Sequence, residues 1–196
     1  IFGGGPKFDE KVKMLLKIVG NIKKGGFLFI GSGPAPAFLK AHPDYENIKL
    51  GQKPSEKDVA GAKEVLEIAR RKNTSVILPE DFLATTQDLS QKPEGSDKSY
   101  LDSKKLPKNI EVFPVTLDEL KRGTVTLPSG KIVSTEQIFV YDVGSRSSAA
   151  LKQAILRLSK ESSVVWNGAL GINEIPTFQN GTEDAAIILS EVSKNK

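Results

Sequence analysis

Cysteine is absent from these 196 residues, and histidine occurs once, at His42. Without thiols the chain forms no disulfide and offers no thiolate to a metal ion. A single imidazole builds neither a His-based zinc site nor a Ser-His-Asp triad. These absences exclude several classes of metalloenzyme and hydrolase, and we predict no metal ligands in this sequence.

Long apolar runs are also missing, since no stretch approaches the ~20 residues that a membrane helix needs. The opening segment, IFGGGPKFDE, has neither the basic start nor the apolar run of a signal peptide. We therefore expect a protein without a membrane partner, in the cytoplasm or another intracellular compartment.

A hydrophobic content of 38% is enough for one sizeable core, and we predict one domain over 1–196, cut from a longer chain inside its first strand.

The net charge of +4 raises the question of nucleic-acid binding. Lysine and arginine are nevertheless spread along the chain, and the densest clusters, 23–24 and 70–72, fall at predicted helix ends. Cations at a helix C-terminus face the negative end of the helix dipole. This distribution argues against a nucleic-acid partner.

Short strands rich in β-branched or aromatic residues alternate with helical patterns of period 3.6. The predicted strands are 1–2, 27–30, 74–78, 138–141 and 163–166, and the predicted helices are 9–22, 35–40, 55–70, 147–159 and 182–192. This alternation is typical of a parallel sheet covered by helices. We predict an α/β fold, a Rossmann-like three-layer αβα arrangement with a mainly parallel sheet.

The region 85–137 interrupts that alternation. Its first part, 85–100, is polar and predicts a loop, whereas 110–115 and 124–133 predict strands, the second around a Pro128-Ser129-Gly130 turn. We predict that 85–137 is an inserted, β-rich flap.

Three predicted strands end in glycine-containing turns, which are Gly3-Gly4-Gly5, Gly31-Ser32-Gly33 and Asn167-Gly168-Ala169-Leu170-Gly171. In an open α/β sheet such turns lie at the carboxyl edge, where ligands bind and free N–H groups favour anions. Lys7 and Lys11 share one helical face near the first turn. Neither G-x-G-x-x-G nor a P-loop occurs, so spacing alone leaves phosphate binding and simple turn geometry both open.

Five short motifs follow one another along the chain. They are GGPKFDEK from Gly4, GSGPAPAFLK from Gly31, LPEDFLA from Leu78, DVGS from Asp142, and VWNGALGINE from Val165 with a trailing Phe178 and Gly181-Thr182. In this order they resemble the C-terminal half of phosphoglycerate kinase, whose motifs have the forms GGAKxxDK, GGGMAxTFLK, LPxDxxxA, DxGP and VWNGPxGxFE. The resemblance covers most of the chain, and VWNG with its trailing Gly-Thr is its most specific part.

The resemblance implies a nucleotide-binding domain that takes ADP or ATP with Mg²⁺. By position, Lys7 would face the phosphoryl group in transfer and Lys11 the nucleotide phosphates. The adenine slot would be lined by Gly31, Ser32, Gly33 and Tyr141, the phosphates would meet Asn167 and Gly168, and the ribose hydroxyls would bond Glu174. Transfer would run between 1,3-bisphosphoglycerate and ADP, in glycolysis.

Departures from the family pattern leave the activity open. The family's N-terminal substrate domain is missing, and the chain stops before the GGGDT loop whose Asp holds the metal, so we expect this fragment alone to be inactive. Val140 stands where the family has a glycine against the adenine, and a β-branched side chain would narrow that slot. We therefore keep two hypotheses: half of an active phosphoglycerate kinase, or a pseudoenzyme domain that senses nucleotide or has a structural role.

Overall fold

The computed structural model of the chain describes residues 1–3, 8–92, 94, 96–104, 106 and 110–195. Its helices are α1 (Phe8–Asn21), α2 (Ala35–Ala41), α3 (Glu56–Lys72), α4 (Tyr100–Ser103), α5 (Leu117–Arg122), α6 (Ser145–Leu156) and α7 (Asn180–Asn195). Its strands are β1 (Phe27–Phe29), β2 (Ser75–Ile77), β3 (Asp81–Thr85), β4 (Phe113–Thr116), β5 (Thr124–Thr126), β6 (Ile132–Ser134) and β7 (Phe139–Val143). Two 3-10 turns cover Thr135–Gln137 and Pro176–Phe178.

Parallel segments form the centre of the molecule. Strand β1 pairs with β2 in parallel, and Phe2 forms parallel bridges with both Ile30 and Asn167. The spatial order is therefore 163–167, then 1–3, then β1, then β2. The chain between these segments crosses over through helices, as parallel pairing requires.

Alternate residues of β1 face opposite helical layers. Leu28 belongs to the core cluster that contains Leu15 of α1 and Val65 of α3. Its neighbour Phe29 belongs to the cluster that contains Leu151 of α6 and Ile188 of α7. Because successive strand side chains point to opposite faces, this division places helices on both sides of the sheet and confirms the Rossmann-like α/β prediction.

A second, antiparallel sheet has the order β4-β3-β7. The hairpin of β5 and β6 around Ser129-Gly130 lies within the predicted flap. Apolar residues of 85–137 lie in the same core cluster as Leu28, and they are Phe113, Val115, Leu120, Val125, Leu127 and Val133. The segment therefore packs into the main core instead of standing away from it.

Some predicted boundaries were wrong. Residues 163–166 form no ladder strand, and only Asn167 makes a bridge there, with Val164 and Val165 exposed. Strand β3 and helix α5 were missed. The start of α5 was readable, since Thr116 and Glu119 form a capping box, T-x-x-E, in which each side chain bonds the other residue's N–H.

Helix α6 begins under a carboxylate from another element. Asp81 of β3 accepts hydrogen bonds from the N–H groups of Arg146 (3.0 Å) and Ser147 (2.9 Å) and from the Ser147 hydroxyl (2.7 Å). A carboxylate here satisfies donors that have no partner within the helix and faces the positive end of its dipole. The LPEDFLA and DVGS motifs thus meet at the α6 N-terminus.

Among the described residues, no helix combines the length and the apolar character that a membrane span requires.

Candidate functional site

Gly3 of the first glycine turn meets the second and third glycine turns at one edge of the parallel sheet. Gly3 lies so close to the third turn that a Cβ on it would overlap the carbonyl oxygens of Gly168 and Ala169. Ser32 of the second turn donates through its N–H (3.0 Å) and its hydroxyl (2.6 Å) to the Leu170 carbonyl of the third. Three distant parts of the sequence therefore meet at the carboxyl ends of the parallel segments.

The N–H groups at this edge are less available to an anion than expected. Gly3 donates to the Asn167 carbonyl (2.7 Å), Gly31 to the Phe2 carbonyl (2.8 Å), and Ser32 to Leu170. The expectation of free N–H groups is wrong for these three residues, because they hold the turns together. Ser32 is 3% exposed and its hydroxyl is engaged, so it packs the turn from within.

Asn167 carries a polar atom with no partner. Its backbone N–H donates to the Ile1 carbonyl (3.0 Å), which fixes the residue beside the first segment. Its side-chain oxygen Oδ1 is buried and has no hydrogen-bond partner among the described residues. An unpaired buried polar atom is unfavourable, so a hydrogen-bond donor that reached this atom would stabilise the turn. The next residue, Gly168, has φ of 83°, a backbone conformation that favours glycine.

The predicted lysines and the acid differ in their surroundings. Lys7, predicted to face the transferred group, lies outside the described residues, as do Gly4, Gly5 and Pro6. Lys11 is half-buried on the first turns of α1. Glu174 is exposed, in the turn that precedes buried Ile175.

Tyr141 is buried beneath the loop that follows the third turn. Its ring lies 5.4 Å from that of Phe178, and its hydroxyl oxygen accepts a hydrogen bond from the Leu89 N–H (2.7 Å). Burial raises the pKa of Tyr141 well above its ordinary value. The polar end of this side chain therefore anchors the segment after β3 and does not face an open slot.

Both main-chain groups of Val140, the neighbour of Tyr141, form hydrogen bonds with a side chain that the sequence pattern did not indicate. The Gln52 side-chain amide donates to the Val140 carbonyl (2.6 Å) and accepts from the Val140 N–H (2.8 Å). Beside it, the Gly51 N–H donates to the Ile138 carbonyl (2.8 Å). Residues 51–52 thus continue the sheet edge beside β7. Because 88 positions separate Gln52 from Val140, no local sequence pattern predicts this pair.

Asp142 joins β7 to the start of α7. It is fully buried and accepts hydrogen bonds from the N–H groups of Gly181 (2.9 Å) and Val143 (2.8 Å). Burial, with a smaller effect from the nearby Asp184 carboxylate, raises its pKa from 3.8 to about 7. The α7 start also holds the third turn, since the Leu170 N–H donates to the Thr182 hydroxyl (3.0 Å).

A cavity of about 200 Å³ opens beside the second turn, lined by Gly33, Pro34, Pro36, Ala37, Gln52, Lys53, Pro54 and Asp58. It gives Gly33 an open neighbour, unlike Gly31 and Ser32. No group of three or more His, Asp or Glu side chains in the described part of the chain could hold a metal ion. The features of this edge that a ligand could use are the cavity beside Gly33 and the Asn167 oxygen that has no partner among the described residues.

Comparisons with known proteins identify the family of this chain. The family model described as phosphoglycerate kinase matches residues 1–196. Curated phosphoglycerate kinases from Sinorhizobium fredii and Pseudothermotoga lettingae are 29% and 27% identical over 93% and 96% of this chain. The chain spans 36% and 38% of their lengths, so it corresponds to little more than a third of these relatives.

A solved structure is also similar. The phosphoglycerate kinase of Coxiella burnetii superposes with a TM-score of 0.67 and 21% identity, over 97% of this chain and 38% of that one. At this identity the likeness concerns the fold. Together with the family match over all 196 residues and the ordered motifs that meet at one edge, it shows that this chain belongs to the phosphoglycerate kinase family.

Proposed function

We propose that this chain is the nucleotide-binding part of a phosphoglycerate kinase and that ADP or ATP lies across the three converging turns. The observation that carries the proposal is the meeting of Gly3 with the second and third turns at one edge of the sheet, where Asn167 Oδ1 has no partner among the described residues. Gly33 lines the small cavity at this edge without a side chain in the way of a ligand, and an acceptor without a partner gains one when a ligand donates.

Side chains supply the phosphate contacts in this proposal, because three turn N–H groups are already engaged. Lys11 would pair with phosphate oxygens, and Lys7 would stabilise charge on the phosphoryl group in transfer. Asn167, through its side-chain amide N–H₂ group, and Gly168 would contact the phosphates, and Glu174 the ribose. Mg²⁺ would be carried on the nucleotide phosphates, since the described residues offer no carboxylate cluster to it.

The activity of the whole protein belongs to the same proposal. Phosphoryl transfer between 1,3-bisphosphoglycerate and ADP would require a substrate domain outside these 196 residues, as well as the metal-holding loop. The chain by itself would bind nucleotide without transferring a phosphoryl group, and we propose the cytoplasm as its location.

A pseudoenzyme domain is the second candidate, favoured by one contact. Gln52 occupies both main-chain groups of Val140, the residue at the position that the resemblance assigns to the adenine slot. With the slot closed, the same fold would serve as a structural module or weak nucleotide sensor.

Calorimetric titration of the chain with MgADP tests the first candidate. We expect saturable binding that Lys11→Ala weakens about tenfold, because a charge-assisted contact contributes roughly 1.5–3 kcal/mol. Lys17→Ala, an exposed lysine on the same helix, is the matched control and should leave binding unchanged. Absence of heat at millimolar MgADP would reject nucleotide binding by this chain.

Turnover separates the two candidates once binding is known. The full-length protein is assayed with ATP and 3-phosphoglycerate. Its Gln52→Ala variant is assayed under the same conditions. Turnover by the unaltered protein supports the kinase, whereas nucleotide binding with no turnover at saturating substrate supports the pseudoenzyme.

A further inference from the structure

A second cavity, larger than the one beside Gly33, lies farther along helix α2. It has a volume of about 660 Å³ and follows helix α2 on the side toward α3 and residues 48–54. Helix α2 starts just after the second turn and rises ~1.5 Å per residue, so the lining residue Lys40 lies about a helix length from that turn. Pro36, Gln52, Lys53 and Pro54 line both this cavity and the smaller one beside Gly33, so the two cavities adjoin.

Apolar side chains form most of the cavity wall. They are Pro36, Leu39, Ile48, Leu50, Val59 and Ala60. Leu39, Ile48 and Leu50 are buried members of the main core cluster. A volume of this size is within the ~300–1,000 Å³ usual for pockets that hold small molecules. The wall therefore suits a hydrocarbon chain or a ring.

The rim is positively charged. Four lysines and two glutamates line the cavity, which leaves a formal charge of +2. Lys40 donates to the Glu46 carbonyl (2.7 Å), and Lys49 pairs with Glu136 (3.2 Å). Lys53 and Lys63 have no ion pair among the described residues, so the two lysines beside α3 are available to a negative group.

From this combination of apolar wall and unpaired lysines, we propose that the cavity between α2, α3 and residues 48–54 binds a small amphipathic anion. The ligand class is a hydrocarbon or ring of moderate size that carries one carboxylate. Its apolar part lies against Leu39, Leu50 and Val59, and its carboxylate pairs with Lys53 and Lys63. Neither contact uses a residue of the three glycine turns, although Lys53 also lines the smaller cavity beside Gly33.

Sodium decanoate is the probe, titrated calorimetrically into the chain with hexanoate and octanoate as shorter homologues. We expect one saturable site whose affinity rises with chain length toward the roughly fourfold per methylene that full burial gives. Ala60→Phe, which fills the cavity from the surface of α3, should abolish binding. Lys53→Gln with Lys63→Gln should weaken it severalfold, whereas Lys72→Gln, an exposed lysine of α3 outside the lining, should not change it.

Competition with MgADP distinguishes this site from the nucleotide edge. Unchanged decanoate affinity at saturating MgADP supports a separate pocket, and displacement would overturn it. Absence of saturable binding, or binding that survives Ala60→Phe in a variant with an unchanged circular dichroism spectrum, would also overturn it. If the chain binds decanoate but no nucleotide, the function proposed above fails while this site stands.

Discussion

Gln52 bonds both main-chain groups of Val140 with its side-chain amide, at 2.6 Å and 2.8 Å. This pairing copies a strand ladder with a side chain and fixes residues 51–52 beside β7. Since Gln52 also lines both cavities, one residue connects the sheet edge, the second glycine turn and the lysine-rimmed pocket.

Replacing Gln52 with alanine should destabilise the protein. The change leaves the N–H and carbonyl of buried Val140 without partners, which costs about 1–3 kcal/mol. Urea unfolding followed by circular dichroism measures the loss. Gln153→Ala, at an exposed position on α6, is the control and should change the free energy of unfolding little. Equal stability of the two variants would contradict the structural role of the Gln52 pair.

Asp142 should make stability depend on pH. Its pKa is about 7 in the folded protein and near 3.8 in the unfolded chain. Between these pH values the Asp142 carboxyl has lost its proton in the unfolded chain but keeps it in the folded protein. The contribution of Asp142 to the free energy of unfolding is therefore largest below pH 3.8 and falls as the pH rises toward about 7. Asp142→Asn should flatten this part of the curve. The measurement is the free energy of unfolding from pH 4 to pH 8, and an unaltered slope in the variant would contradict the assignment.

The Asp81 carboxylate should matter more than an exposed cap. Asp81→Ala removes three hydrogen bonds at the start of α6, and we expect a loss of about 2 kcal/mol or more, since Ser147, which supplies two of the donors, is buried. Asp58→Ala, which breaks the exposed capping box of α3, should cost about 1 kcal/mol. Chemical denaturation of both variants gives the comparison, and the reverse order would show that Asp81 is not a cap of this strength.

Loss of the Tyr141 hydroxyl should loosen the segment after β3. In Tyr141→Phe the Leu89 N–H loses its acceptor, while the ring contact with Phe178 remains. We expect faster hydrogen exchange at Leu89 and a loss of about 1–3 kcal/mol. Tyr100→Phe is the control, because it removes a hydroxyl from a half-buried ring that packs on the same cluster. It should leave hydrogen exchange at Leu89 unchanged. Unchanged exchange at Leu89 would argue against the anchor.

Local sequence patterns predicted most of the helices and strands. The apolar spacing predicted α1 almost to its ends, and Ser55 with the period of α3 predicted that helix. Strand β3 was missed because it is short and buried on both faces, so it shows no alternation. The flap prediction placed the β5–β6 hairpin, but no local pattern showed that Leu120 and Val125 belong to the main core.

The sequence by itself determined the alternation of strands and helices, the turns at Gly3, Gly31 and Gly168, and the family to which they belong, because period, glycine and motif order are properties of neighbouring residues. Only the tertiary structure decided what each residue does at that edge. It engages the N–H groups of Gly3, Gly31 and Ser32, and it leaves Asn167 Oδ1 without a partner among the described residues. It also joins Gln52 to Val140 and Asp81 to α6. The bonded residues are between 29 and 164 positions apart along the chain. The geometry of such pairs depends on how sheet and helices pack, which no local pattern records.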